Sequence, residues 1–288
     1  MSQAESLPSP SVLRRFLGQR SAVVGAVFLL LLTLLAIAAP WLGIDSPWSM
    51  TSKPLLPPFA DNGHWLGSDM LGRDIGSGLL YGARMSLAVG ALSTLATLVL
   101  GLIIGGLAGY AGGWVDEALM RLAEFFQIIP QLVLAVILVA VLEPSLGSVV
   151  IGIALVAWPP VARLVRSEFL SLRQREFVQA AQVLGQKPLA IIFTQILPNA
   201  LSPLLVTMSF IMGTAILTEA ALAFLGLGDP EAMSWGYMIN ASRNMLRQAW
   251  WMSLLPGLAI MLCVLAVNRI GEGLRVAFEP PGRPGGRP

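Results

Sequence analysis

The sequence has few charged residues: Asp, Glu, Lys and Arg make up 12% of its 288 residues, whereas an average soluble domain carries about 25%. Hydrophobic residues account for 56% of the chain. A protein of this composition lacks the polar surface that a water-soluble fold requires. The sequence therefore excludes an ordinary soluble enzyme, a nucleic-acid-binding protein and a disordered chain, and it indicates an integral membrane protein.

Residues that carry catalysis, metal binding or ATP binding are also scarce. With one histidine, His64, and one cysteine, Cys263, the chain cannot form a His-Glu-x-x-His zinc site or a Cys-x-x-Cys pair, and no Ser-His-Asp arrangement is recognisable. Neither lysine, Lys53 or Lys187, lies in the Gly-Lys-Ser/Thr sequence of a phosphate-binding loop. We therefore predict that the chain is not an enzyme and binds no metal or cofactor of its own.

Six charge-free stretches are long enough to cross a bilayer core, which takes about 20 residues of helix. They cover residues 21–44, 85–115, 125–142, 144–162, 188–218 and 248–268. We shorten the two longest to 86–110 and 199–218, at the Gly112-Gly113 pair and at Pro198. Because backbone groups in lipid must be satisfied within one segment, we predict an all-α polytopic protein with six transmembrane helices.

The distribution of positive charge predicts the orientation of these helices. With both termini in the cytoplasm, the inner segments carry thirteen of the 18 Lys and Arg residues, and the outer segments carry the other five. This asymmetry follows the positive-inside rule. The first apolar run is longer than the about 7–15 apolar residues of a signal peptide, so we expect it to stay in place as an anchor.

This topology divides the chain into five parts. We predict a cytoplasmic tail at 1–20, a transmembrane anchor helix at 21–44, an extracytoplasmic loop at 45–84, a five-helix core at 85–278 with a cytoplasmic loop at 163–198, and a disordered tail at 279–288. The expected surroundings are membrane lipid, and nothing in the composition calls for nucleic acid.

The cytoplasmic loop has the sequence of a short helix with an abrupt end. Apolar side chains recur at spacings of three and four over residues 176–184, Gly185 follows where a helix end favours a left-handed residue, and Pro188 prevents continuation. Ala180 and Ala181 present almost no side chain and permit close approach by another surface. The alternative is an amphipathic helix that lies at the lipid interface.

Ionisable residues are almost missing from the spans. The candidates are Glu124, at the inner start of the third span, and Glu219, at the outer end of the fifth. An ion-coupled secondary transporter usually places Asp, Glu or His at mid-membrane, so this class is disfavoured. Glu219 is either a gate residue or a solvated helix end.

The cytoplasmic loop resembles a known family. Its pattern Q-A-A-x3-G-x9-Q-I-L-P at residues 179–198 is similar to the E-A-A-x3-G-x9-I-x-L-P loop of ABC-importer permease subunits. Gln179 stands where that family usually has Glu, and Gln195 stands where it usually has Ile. Ala180, Ala181, Gly185 and Pro198 match.

Four further segments resemble the dipeptide, oligopeptide and nickel permeases of that family. They are H-W-L-G-S-D-M-L-G-R-D at 64–74, G-Y-A-G-G-W-V-D with M-R at 109–121, F-L-G-L-G with S-W-G at 224–236, and N-x-x-G-x-x-L-R at 268–275. Each motif alone is weak, but together they are specific, and the resemblance covers roughly residues 20–278.

The resemblance implies the type I ABC-importer permease fold in a bacterial inner membrane. It also implies one half of a permease heterodimer, the C-type partner, that works with a second permease subunit, two ATPase subunits that bind ATP and magnesium, and an extracytoplasmic solute-binding protein. The implied cargo is dipeptides or oligopeptides, with nickel or a metallophore as the alternative.

The resemblance also implies roles for individual residues. Those expected to couple to the ATPase are Glu176, Gln179, Ala180, Ala181, Gly185 and Pro198. A second set is singled out by outward position and polarity instead of by the resemblance: we expect Asp69, Arg73, Asp74, Glu219 and Trp235 to form a gate or to contact the solute-binding protein.

Overall fold

A computed structural model describes residues 12–278, and within this range it contains helices, turns and two isolated β-bridges but no strand. Residues 1–11 and 279–288, which include the predicted C-terminal tail, lie outside the described range. The helices are α1 (Val12–Leu17), α2 (Arg20–Ala38), α3 (Ile75–Ala111), α4 (Gly113–Ile128), α5 (Gln131–Val141), α6 (Leu146–Arg173), α7 (Glu176–Val183), α8 (Pro188–Ile191), a π-helix (Ile192–Ile196), α9 (Leu197–Phe224), α10 (Trp235–Ser242) and α11 (Trp251–Phe278).

The all-α class and the number of spans agree with the sequence prediction. Five helical segments in the described range are long and apolar enough to cross a membrane: α2, α3, α6, the continuous run from α8 to α9, and α11. The sixth is a bent pair, α4 and α5, whose axes differ by 90°. The predicted third span is therefore broken rather than straight.

The break in the third span lies at Pro130. A proline lacks a backbone N–H and clashes with the carbonyl four residues earlier, so a helix cannot run through it undisturbed. On one side of the break Ala123 is buried with Trp158, and on the other Val139 packs against Gly152. The α4–α5 pair therefore runs along α6 in the opposite direction, from the middle of α6 towards its start. This is the path expected of a single membrane span that is broken at one point.

The second span begins earlier than the sequence indicated. We expected a loop as far as residue 84, but α3 starts at Ile75, where the Asp74 side chain accepts a hydrogen bond from Ser77 N–H at 2.6 Å. At 1.5 Å per residue, its 37 residues make a helix of about 55 Å, much longer than a hydrocarbon core of about 30 Å. The helix therefore extends well beyond the apolar layer.

The fifth span also begins earlier than expected. Pro198 does not end the helix, which is continuous from Pro188 to Phe224. The turns before the proline widen into the π-helix, in which Leu197 N–H bonds to Ile192 O. A wider turn accommodates the missing N–H and the proline ring without a break.

The most extensive helix packing is between α3 and α6. Small residues of α3 face the backbone of α6: a Cβ at Gly105 would lie 2.3 Å from Ala162 O, and one at Gly109 would lie 2.8 Å from Arg166 O. In a membrane, where lipid is as apolar as the protein interior, such close backbone approach is a main source of helix association. These two helices form the centre of the core.

Both ends of the described chain lie on one side of the bundle. Gly273, near the end of α11, packs against Phe16 and Ala22, and Gly271 packs against Ser209 in the first half of α9. The loop between α6 and α8 leads into that same end of α9, so it shares this side with the termini. The assignment of this side to the cytoplasm stays a prediction from the charge distribution.

Candidate functional site

The short helix expected in the loop after α6 is present as α7, and it ends at Gly185. Gly185 has φ of +73° and donates to Gln182 O at 3.0 Å, while Gln186 N–H bonds to Ala181 O at 3.1 Å. These two bonds form a Schellman motif, which requires a left-handed residue at the position of Gly185. The chain therefore turns sharply and returns to the bundle at Pro188.

One face of α7 is fixed to the bundle. Val178 and Ala181 are buried in a cluster with Val165 and Phe169 of α6 and Ile196 of the π-helix. Ala181 is 4% exposed, so its small side chain serves packing within the chain.

The opposite face of α7 is open and carries both polar and apolar side chains. Ala180 is exposed, and so are Glu176, Gln179, Gly185 and Pro198. At the end of α7, Val183 and Leu184 are 88% and 79% exposed, although α7 lies outside the membrane-spanning helices. Large apolar side chains exposed beside polar ones mark a surface that contacts a partner or lipid.

Two arginines in the second half of α6 contact the end of α3 and the start of α4. Arg166 donates through Nε and Nη2 to both carboxylate oxygens of Asp116. Arg173 donates to Tyr110 O at 2.8 Å and lies 5.6 Å from the centre of its ring. Sequence reasoning missed the first pair, because Asp116 was noticed only within a motif and nothing local connects it to Arg166.

At the other end of the bundle, Glu219 and Trp235 belong to one closed group. Glu219 is 3% exposed, and its Oε2 accepts from Ser86 Oγ at 3.0 Å. Trp235 is fully buried; its backbone N–H donates to the same Ser86 hydroxyl at 3.4 Å, and its Nε1 donates to Leu79 O at 3.0 Å. The group ties α3 to α9 and α10.

Asp69, Arg73 and Asp74 form a second group in the connection before α3. Asp69 Oδ1 accepts from the N–H groups of Leu71 and Arg73, each at 2.8 Å, and so shapes the turn. The Arg73 guanidinium lies 4.8 Å from the centre of the Trp48 ring. Asp74 caps α3 and accepts no contact from Arg73 in the ion pairs of the described residues.

Helix α10 connects the two groups. Trp235 starts the helix, and Tyr237 and Met238 line a small cavity together with Asp69 and Arg73. Of the two roles expected for Trp235, direct contact with another protein does not fit a fully buried side chain, and a gate role stays a prediction. Asp69, Arg73 and Asp74 are partly buried; the two aspartates bond to the local backbone, whereas Arg73 lies over the Trp48 ring.

His64 is paired with Asp74, with 3.5 Å between Nδ1 and Oδ1. Across residues 12–278, no three His, Cys, Asp or Glu side chains come together in a way that could hold a metal ion. Within the described residues, this end of the bundle is held together by hydrogen bonds, by the contact between His64 and Asp74 and by packing between helices.

Family models match most of the chain. Residues 97–280 match the binding-protein-dependent transport system inner membrane component, and residues 9–58 match the N-terminal transmembrane domain of oligopeptide transport permease C. The first match runs from the second half of α3 through the remaining spans, and the second covers the first span and the beginning of the connection that follows it.

Curated relatives are similar over nearly the whole chain. The dipeptide transport system permease protein DppC of Alkalihalophilus pseudofirmus is 44% identical over 90% of this chain and 85% of its own length. The di/tripeptide transport system permease protein DppC of Pseudomonas aeruginosa is 39% identical over 96% and 94%. The glutathione transport system permease protein GsiD of Pectobacterium atrosepticum is 39% identical over 93% and 89%.

A solved structure has a similar fold. An inward-facing structure of the MetNI methionine ABC transporter contains a chain that matches with a TM-score of 0.56 and 21% identity, over 68% of this chain and 96% of that chain. This likeness concerns the helical architecture alone.

Proposed function

This chain belongs to the family of inner-membrane permease subunits of binding-protein-dependent ABC importers, and we propose that its cargo is dipeptides or oligopeptides. The observation that carries this proposal is the identity of 36–44% with permeases named for dipeptide transport, over 90–96% of the chain. The relatives described above are named for dipeptides, di- and tripeptides, or glutathione, itself a tripeptide. They favour peptides over the nickel or metallophore alternative.

The subunit works as the C-type half of a permease heterodimer. The match of residues 9–58 to the N-terminal domain of oligopeptide permease C supports this assignment. A second permease subunit supplies the other half of the translocation pathway, two ATPase subunits bind and hydrolyse ATP with magnesium, and an extracytoplasmic solute-binding protein delivers the peptide.

The open face of α7 is the surface that receives the ATPase. Its exposed Ala180 permits close approach, the neighbouring Val183 and Leu184 supply apolar area, and Gly185 gives the chain its sharp turn. Because the buried face of α7 is fixed to α6, a displacement of α7 carries α6 with it. Glu176 and Gln179 are exposed on the same helix, and Pro198 is exposed in the first turn of α9.

The closed group at the opposite end acts as the outer gate. Glu219, Ser86 and Trp235 hold α3, α9 and α10 together on the side where the peptide enters. Transport requires these helices to separate and close again, which is a shift between two states of the bundle rather than chemistry on the peptide.

The cargo is tested in the complete transporter. The chain is co-expressed with its partner permease, ATPases and binding protein, purified, and reconstituted into vesicles with ATP inside. Uptake of radiolabelled dialanine and trialanine is expected, and uptake of labelled nickel and glutathione is measured in parallel samples. ATP-dependent uptake of nickel without peptide uptake would overturn the proposed cargo.

The contact through α7 is tested with Ala180→Arg, which places a long charged side chain on the open face. We expect peptide uptake and peptide-stimulated ATP hydrolysis to fall together, while the permease still reaches the membrane. Ala60→Arg, the same change at an exposed alanine in the connection before α3, is the matched control. Normal stimulated hydrolysis in Ala180→Arg would contradict the assignment. Ala181 is unsuitable for this test because it is buried.

A further inference from the structure

A two-pronged ion pair joins the last third of α6 to the start of α4. The Arg166 guanidinium donates to Oδ1 and Oδ2 of Asp116, the second bond at 2.6 Å. The side chains are 35% and 15% exposed, so water screens the pair only in part. A bidentate contact of this kind fixes the relative orientation of two helices as well as their separation.

The same stretch of α6 holds α7. Phe169 is buried in one cluster with Ala181 of α7. It also lies against α3, where a Cβ at Gly109 would be 2.7 Å from Phe169 Cβ. With the bond from Arg173 to Tyr110 O, α7, the end of α6 and the turn from α3 to α4 make one continuously packed unit.

The far end of α4 packs against α6 through apolar side chains instead of an ion pair, with Ala123 buried beside Trp158 and the centre of the Phe126 ring 5.5 Å from that of Trp158. The helix ends at Ile128 and α5 begins at Gln131, at 90° to it. Pro130 has no N–H, so no backbone bond from it continues α4, and the first bond of α5 runs from Leu134 N–H to Pro130 O. The junction at residues 129–130 is therefore the joint of the third span.

From this geometry we propose that the Asp116–Arg166 ion pair makes α4 move together with α7, so that a displacement of α7 reaches the third span and is taken up at Pro130. Asp116 and Arg166 are positioning residues: they act on the transport cycle through α4. The inference rests on the function proposed above, since it takes an ATPase to be what displaces α7.

The first test is Asp116→Asn, which keeps the shape of the side chain and removes its charge. In the reconstituted complex, we expect the amount of dialanine or trialanine transported per ATP hydrolysed to fall about tenfold, the upper part of the range for residues that link distant sites. The amount of assembled complex should stay near the wild-type level. Glu117→Gln, which removes the exposed Glu117–Arg121 pair of the same helix, is the matched control and should leave the ratio unchanged.

The second test replaces the ion pair by a covalent link. Cys263 is the single cysteine of the chain, so Asp116→Cys with Arg166→Cys in a Cys263→Ala background provides two thiols that a short bifunctional thiol reagent can join. Because α4 and α6 move as one in our proposal, we expect the linked protein to recover the transport ratio that the unlinked variant loses.

The outcomes separate the inference from the function on which it rests. A wild-type complex that transports no peptide contradicts the proposed cargo. A wild-type complex that transports peptide, with an unchanged ratio in Asp116→Asn, contradicts the role of the ion pair. Transport that stops on cross-linking also contradicts it, because α4 would then have to slide along α6. If Asp116→Asn does not assemble, the cross-linked variant decides.

Discussion

The contact between α3 and α6 leads to a quantitative prediction for Gly105→Ala. An added Cβ would lie 2.3 Å from Ala162 O, 2.8 Å from Val165 Cβ and 2.9 Å from Ala162 C. Two of these atoms belong to the backbone of α6 and cannot turn aside. The helices must therefore separate by about 1 Å to restore an ordinary contact near 3.5 Å. This separation also loosens the close packing at Gly101 and Gly109.

The expected magnitude is the difference between two effects. Overpacking of a well-packed interface costs about 1–3 kcal/mol, and the immovable backbone places Gly105→Ala in the upper part of that range. Alanine also favours the helix over glycine by up to about 1 kcal/mol. The net expectation is a loss of about 1–2 kcal/mol of stability.

The matched control is Gly257→Ala in α11, where no atom lies within 4 Å of the new Cβ. Only the helix preference acts there, so stability should rise by about 0.5–1 kcal/mol. Unfolding of the purified chain in detergent is followed by the fluorescence of its eight tryptophans. If Gly105→Ala were as stable as Gly257→Ala, the close approach of α3 and α6 would not limit stability, and the reasoning would be refuted.

Two further predictions concern the closed group of α3, α9 and α10. Trp235→Ala should cost about 3–5 kcal/mol of stability because the side chain is fully buried. Trp235→Phe should cost less, because it loses mainly the hydrogen bond to Leu79 O. Equal thermal stability of the two variants would argue against this account. Glu219→Ala should cost about 1–3 kcal/mol of stability, since it removes the partner of a buried Ser86 hydroxyl. Glu219→Gln keeps an acceptor for this hydroxyl and should retain most of the stability and of the peptide uptake. An equal loss in both variants would show that the negative charge, rather than the hydrogen bond, is what matters.

Local and compositional features of the sequence predicted much of this protein. The scarcity of charge and the length of the apolar runs indicated six spans, because a bilayer core accepts few other backbones. The end of α7 at Gly185 followed from a single glycine and a proline three residues later. The motifs indicated the family, which the comparisons confirm.

Helix boundaries were predicted less well, for identifiable reasons. Hydropathy does not distinguish an apolar helix from one that continues beyond the membrane, so the first turns of α3, after its cap at Asp74, were read as loop. Pro198 marks the predicted start of the fifth span, at residue 199, because an α-helix rarely tolerates an internal proline. The chain instead inserts a π-helical turn there.

The partnerships across the bundle were decided by the tertiary structure alone. Asp116 and Arg166 are 50 residues apart, Ser86 and Glu219 are 133 apart, and the outward position expected of Trp235 gave no sign of its burial. The physical reason is that lipid is as apolar as a protein interior. A transmembrane helix therefore needs no polar face, and its sequence does not record which side meets another helix.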